Sequence, residues 1–295
     1  MAKRKLSERE GMKKQAAREM SVYKRDDMIQ KSRHQLTVRE QRCVLFAISK
    51  IKPSDEVFQA YTFDLKDFYA LCGLADESYN ELKGILNGLA DKGWDMPLKD
   101  NPDTISRVRW FSTVRTNKKS GKVTIKFHED MMPYLLHLTG QDHFYTGYGL
   151  QYVLPMSSQY APRLYELLKS YQKNRMTWFF ETEELKRLLD ASNYKNFNDF
   201  KRFALAPAVE EINKFTDLKI AYDTKKEGRR IARVEFYMAE KHGKELIDAK
   251  RAGEEVLDGQ MDLFERIEEL RSEGESVKEQ FFRENPPRRR SKTED

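Results

Sequence analysis

The chain predicts an α+β fold of two tandem winged-helix units, two copies of one fold, with a flexible arm ahead of them and a charged tail behind. Three observations predict it. An amphipathic helix opening at Phe197 feeds directly into a strand at Ile220. The order helix, strand, helix, helix, two-stranded ribbon occurs twice. The two copies also overlay with a shift of about 117 residues, which sets Phe63 on Phe180, Phe68 on Leu185, Leu71 on Leu188 and Ile85 near Phe203. The expected boundaries are an arm over 1–21, a first unit over 22–150, a second over 151–240 and a largely disordered tail over 241–295.

In the first unit, Thr37 followed by Glu40 is a capping box. It opens a helix through about Ile51 whose buried face is Cys43, Val44, Phe46, Ala47, Ile48 and Ile51, and Pro53 ends it. AYTFD reads as a strand and DLKDFYALCGL as a helix, with Gly73 as the break. A second helix from Glu77 carries an inner stripe of Leu82, Ile85, Leu86 and Leu89. ISRVRWFSTVRT and GKVTIKFHEDM alternate with period two, and Asn117 to Gly121 joins them as a basic hairpin tip.

The second unit repeats the order. A helix covers Ser158 to Gln172, with Pro162 in its first turn where a missing N–H costs little. WFFE is a strand, Thr182 caps the helix ETEELKRLLDA, and Asn193 and Tyr194 mark the break. In the helix from Phe197, the residues Phe200, Phe203, Ala204, Pro207, Ala208, Ile212 and Phe215 recur at spacings of three and four as one buried stripe. DLKIAYDT and RRIARVEFYM follow as strands joined by Lys225 to Gly228. In the tail, Gly253, Gly259 and Gly274 interrupt a helical pattern.

At 295 residues and 39% hydrophobic content, each unit has material for its own core. Residues 241–295 hold 12 Lys/Arg and 15 Asp/Glu, which leaves 42 against 33 in residues 1–240. That basic excess suits a phosphate-binding surface. Cys43 and Cys72 lie in apolar runs without metal-ligand spacing and read as buried thiols in a reducing cytoplasm. No apolar run reaches the ~18 residues of a membrane span.

The catalytic signals are weak. Neither Gly121-Lys122 nor Gly243-Lys244 has the flanking residues of a phosphate-binding loop. His128, His137 and His143 lack ligand spacing, so no metal or other cofactor is expected, and a metal-dependent nicking enzyme of the rolling-circle type is a poor fit despite Tyr165 and Tyr171. Glu183-Glu184 and Glu210-Glu211 are adjacent on helices and point apart. No enzymatic activity is expected.

What remains is a set of cationic and amide groups where a winged helix meets DNA. In the second unit these are Lys195, Asn196, Asn198, Lys201 and Arg202 at the helix start, with Lys225, Lys226, Arg229 and Arg230 on the wing. In the first unit they are Ser78, Tyr79, Asn80 and Lys83 at the equivalent helix start, with Lys118, Lys119 and Lys122 on the wing. The second helix is the more cationic, which makes its unit the main reader of bases. A winged-helix transcriptional repressor with no replication role fits the same residues.

Three stretches narrow the choice. LTVREQRCVLFAISKI (Leu36 to Ile51), SQYAPRLYELLKSYQK (Ser158 to Lys173) and FKRFALAPAVEEINKFTDLKI (Phe200 to Ile220) resemble, in order and spacing, the signature segments of the Rep_3 family of plasmid replication initiators. The resemblance covers roughly Val22 to Tyr237 and implies that the two winged-helix units are related by pseudo-two-fold symmetry. It implies double-stranded DNA as ligand: directly repeated origin sequences called iterons, bound by the monomer. It also implies a dimer through the first unit that represses its own promoter at an inverted repeat, and host DnaA and the replicative helicase as partners.

Overall fold

The structure is a computed structural model that describes residues 20–51, 55–64, 79–97, 101, 103–138, 144–173 and 175–272. The arm before Met20, Pro53, the helix expected over DLKDFYALCGL with its Cys72, Ser78, His143 and the end from residue 273 lie outside the described residues.

The first unit opens with β1 (Ser21–Arg25), α1 (Asp26–Lys31) and β2 (Arg33–His34), then α2 (Val38–Ile48). Thr37 caps α2 as its sequence requires: its hydroxyl accepts from the Glu40 N–H at 3.3 Å while the Glu40 carboxylate accepts from the Thr37 N–H at 2.9 Å. The same carboxylate pairs with Lys92 at 2.7 Å. Thr37→Ala is expected to lower stability by about 1 kcal/mol, measured by urea unfolding, because a helix N-terminal donor loses its acceptor.

After β3 (Tyr61–Asp64) come α3 (Tyr79–Asp91), β4 (Gly93–Pro97), β5 (Ile105–Arg109), β6 (Phe111–Asn117) and β7 (Lys122–Phe127). Strand β3 pairs with β7, and β7 with β6, giving the order β3-β7-β6. The run ISRVRWFSTVRT is therefore not one strand. Its first half pairs in a separate β2-β4-β5 sheet, and the buried Trp110 is the pivot between the two sheets. Its N–H donates to Lys92 O and its carbonyl accepts from the His128 N–H, both at 3.2 Å. Gly93 must be glycine, since a Cβ there would sit 2.2 Å from the Val108 carbonyl oxygen.

A short helix α4 (Met132–Leu135) leads to β8 (Tyr145–Gly149), which returns to pair with β1, and a single 3-10 turn follows at Leu150–Tyr152. Next is α5 (Ala161–Gln172). Every residue from Ala161 to Leu168 is buried, including Arg163 and Glu166. A helix buried all round belongs to both of its neighbours. The two separate cores expected from sequence are accordingly one connected apolar cluster, continuous through α5.

The second unit comprises β9 (Thr177–Glu181), α6 (Thr182–Leu188), α7 (Phe197–Phe200), a π-helical turn over Lys201–Leu205, α8 (Ala206–Phe215), β10 (Leu218–Glu227) and β11 (Arg230–Glu240). Its sheet order, β10-β11-β9, matches the first wing sheet: the strand ahead of the helices pairs with the second strand of the ribbon. Thr182 does not cap α6. Glu181 holds the cap position, and Thr182 is the first helical residue, its hydroxyl buried without a hydrogen-bond partner.

The expected tail differs most from the structure. Gly243–Ser272 is one helix, α9, which packs on α8 and on the turn at Leu150–Tyr152. Its own Ala249 and Leu257 are buried in that seat. Gly253 does not break it; a Cβ there would meet Pro155 Cγ at 3.4 Å and Gln151 O at 3.7 Å. Tertiary contact along this side of α9 outweighs the low helix propensity of glycine.

Candidate nucleic-acid interface

The helix from Phe197 to Phe215 contains Pro207, which has no N–H to donate to the Phe203 carbonyl and would clash with it in a regular turn. The chain widens instead: the Ala206 N–H donates to Lys201 O, five residues back. One extra residue enters the turn, and the apolar stripe is re-phased to Phe200, Ala204, Leu205, Ala208, Ile212 and Phe215, all buried. Phe203, expected inside, is 51% exposed, and Pro207 is half-buried.

Lys195, Asn196, Asn198, Lys201 and Arg202 are all exposed along this segment. Lys195, Lys201 and Arg202 have no carboxylate partner among the described residues. Asn196 is committed locally as the cap of α7: its Oδ1 accepts from the Asp199 N–H at 2.8 Å and its amide donates to the Asp199 carboxylate at 2.6 Å. Several acids of this unit are engaged elsewhere. Glu183 pairs with Lys186 and Glu184 with Arg187 on α6, while the Glu211 carboxylate accepts from the Ser157 and Ser158 N–H groups at 3.0 Å ahead of α5.

The wing differs in detail from its expected form. Lys225 and Lys226 are not loop residues; strand β10 runs through them to Glu227, and the turn is only Gly228-Arg229. Gly228 adopts a φ of 61°, in the left-handed region that favours glycine. Strand β9 covers β11 only from Arg233 to Tyr237, so the ribbon from Lys226 to Ile231 projects beyond the third strand. Lys226, Arg229 and Arg230 are exposed on it without ion pairs among the described residues, whereas Lys225 lies 3.8 Å from both Asp223 and Glu235.

In the first unit Lys83 is exposed on α3, whose Leu86 and Leu89 are buried. Tyr79 and Asn80 fall in the first turn of that helix. Lys118 and Lys119 are exposed in the turn of the first wing. Lys122 is the first residue of β7, exposed and paired with Asp64 at 2.8 Å, because the β3-β7 register places those residues opposite each other. Sequence reasoning did not single out Arg109 and Arg115, exposed on β5 and β6 without ion pairs among the described residues, and it placed the exposed Phe203 inside.

Cations are thus sorted by place. On the outer face of the second sheet they are neutralised: Arg233 by Glu181 at 2.6 Å, Lys219 by Glu245 at 2.7 Å, and Lys225 between its two carboxylates. At the helix start and the projecting ribbon they are not. Unneutralised cations on a helix and a ribbon are what phosphate contact requires. Among the described residues no group of three His, Cys, Asp or Glu side chains could hold a metal ion, and no helix is long and apolar enough to cross a membrane.

Comparison with known proteins agrees with this geometry. The family model described as initiator replication protein, WH1, matches residues 21–169, and the one described as initiator Rep protein, WH2, matches residues 181–238. The chain belongs to this initiator family. It therefore has two winged-helix domains. The PI protein of Escherichia coli is 28% identical over 155 residues, which cover 47% of this chain and 50% of that protein, so the match spans half the relative's length. A replication initiation protein of Escherichia coli is 23% identical over 223 residues, or 72% of this chain and 67% of the relative. The crystal structure of Pi initiator protein in complex with iteron DNA superposes with a TM-score of 0.63 at 22% identity, over 77% of this chain and 99% of that one. At that identity the likeness concerns the fold.

Proposed function

We propose that the protein is a plasmid replication initiator that binds directly repeated origin DNA, each winged-helix unit entering a major groove of one duplex face. The observation that carries this reading is the sorting of cations, unpaired at the second helix start and ribbon and neutralised on the outer sheet face. The second unit, with Lys201 and Arg202, is the main reader, and the first adds Lys83, Lys118 and Lys119. The monomer is the initiating form; several copies along repeated sites would strain the adjacent duplex and collect host DnaA and the replicative helicase. A dimer through the first unit represses the initiator's own promoter. The protein breaks no bond in this scheme.

A footprint on the DNA flanking the gene tests the reading, with protection of direct repeats as the expected result. A plasmid lacking any other origin should then be sustained by the gene and that DNA. Protection without plasmid maintenance would instead indicate a repressor. Binding should weaken steeply with salt as phosphate counterions are released, and Lys201→Ala should reduce the slope of log K against log salt by about 1 while weakening all duplexes alike. An unchanged slope would remove Lys201 from the interface.

A further inference from the structure

The Phe203 ring has no evident place in a soluble fold. It is 51% exposed, pushed off the buried stripe by the π turn that Pro207 enforces, and it follows Lys201 and Arg202 directly in the chain. It is nonetheless held. The Tyr194 ring stacks on it at 6.2 Å with planes 19° apart, and Tyr194 is tied by its hydroxyl to that of Tyr160, 3.3 Å away at the start of α5. The Arg202 guanidinium lies 5.1 Å from the ring centre. A large apolar side chain that is exposed, oriented by its neighbours and flanked by unpaired cations is arranged for contact with a ligand carrying both phosphate charge and an apolar group.

In the major groove of DNA the apolar group is the thymine C5-methyl, the feature that separates A·T from the other pairs without a hydrogen bond. We infer that Phe203 is a specificity-determining residue that reads a thymine methyl, while Lys201 and Arg202 hold the backbone and neighbouring base edges. This rests on the proposed function, since it needs the helix from Phe197 to lie in the major groove. The ring's support makes the contact selective, because an aromatic fixed in place cannot shift to fill the gap beside a pair with no methyl group.

The test uses the full chain and a duplex selected by the wild-type protein from a random pool, with each thymine replaced in turn by deoxyuridine, which removes only the methyl. Affinity is read by fluorescence anisotropy. The expected result is a loss of about fourfold at one or two positions, the worth of one buried methyl, and no loss at those positions for Phe203→Ala. Phe203→Leu, which keeps an apolar tip, should retain part of the sensitivity. A wild-type protein indifferent to every deoxyuridine, or a Phe203→Ala protein with wild-type sensitivity, overturns the inference while leaving DNA binding intact. If no duplex is selected, the proposed function fails first.

Discussion

Glu166→Ala is expected to cost about 3–5 kcal/mol of folding stability, the range for removing one partner of a buried ion pair and leaving the other uncompensated. Glu166 is 2% exposed on α5 and holds the Lys24 ammonium of β1 at 2.6 Å, with the Arg163 guanidinium at 3.7 Å and the Tyr148 hydroxyl of β8 donating to it as well. Arg163 in turn donates to Ser32 O at 2.6 Å and to Leu188 O at 3.3 Å, so this cluster joins β1, β8, α5 and the end of α6. Lys24→Met should cost less, because Arg163 and Tyr148 still satisfy the carboxylate. A urea midpoint for Glu166→Ala no lower than that of Lys24→Met would show that the cluster does not hold the joint.

The same carboxylate gives stability a pH dependence. Burial raises its pKa, but Lys24 and Arg163 and the hydrogen bonds from Lys24 and Tyr148 outweigh that, and it lies below the ordinary value. Burial depresses the Lys24 ammonium, with the attraction of Glu166 offsetting this in part. A carboxylate whose folded pKa is depressed contributes stability above its unfolded pKa and loses it as pH falls through the folded value. Wild-type stability should therefore decline on the acid side of the carboxylate range, and Glu166→Ala should show a shallower decline.

Arg202→Ala should weaken specific binding by about 1–3 kcal/mol if the guanidinium reads a base edge, and should relax sequence choice at one position. The side chain is exposed and makes no ion pair among the described residues, so its loss should leave the melting temperature within the small range of surface substitutions. Comparing selected and scrambled duplexes separates the roles: equal weakening on both assigns Arg202 to phosphate, and no weakening on either removes it from the interface.

How much of this was legible beforehand depends on how local the determining contacts are. The Thr37-Glu40 cap lies within four residues and was read correctly. The ribbons were visible as period-two runs, but the break at Trp110 was not, since alternation continues while the chain changes sheets; the partners of β5 are 93–97, which themselves pair with 33–34. Phe203 was placed inside because a 3.6-residue period cannot register a π turn. Lys122 and Lys225 were read as wing cations, and the carboxylates that meet them, Asp64 and Glu235, were not foreseen because only strand register brings them there. Gly253 was read as a breaker because Pro155, nearly one hundred residues earlier, is what fills the space beside it.

Helix α9 sets a constraint on the sites this protein can accept. It is seated both on α8 of the second winged helix and on the turn at Leu150–Tyr152 that precedes α5, with Gly253 against Pro155. Twisting one half of the molecule against the other would drag that helix across its seat. For a protein that grips duplex with both halves, the angular phase between them is then fixed. Inserting one base pair between the two recognition blocks rotates the second by about 35° about the DNA axis, at ~10–10.5 base pairs per turn. Such a site presents the right bases at the wrong azimuth.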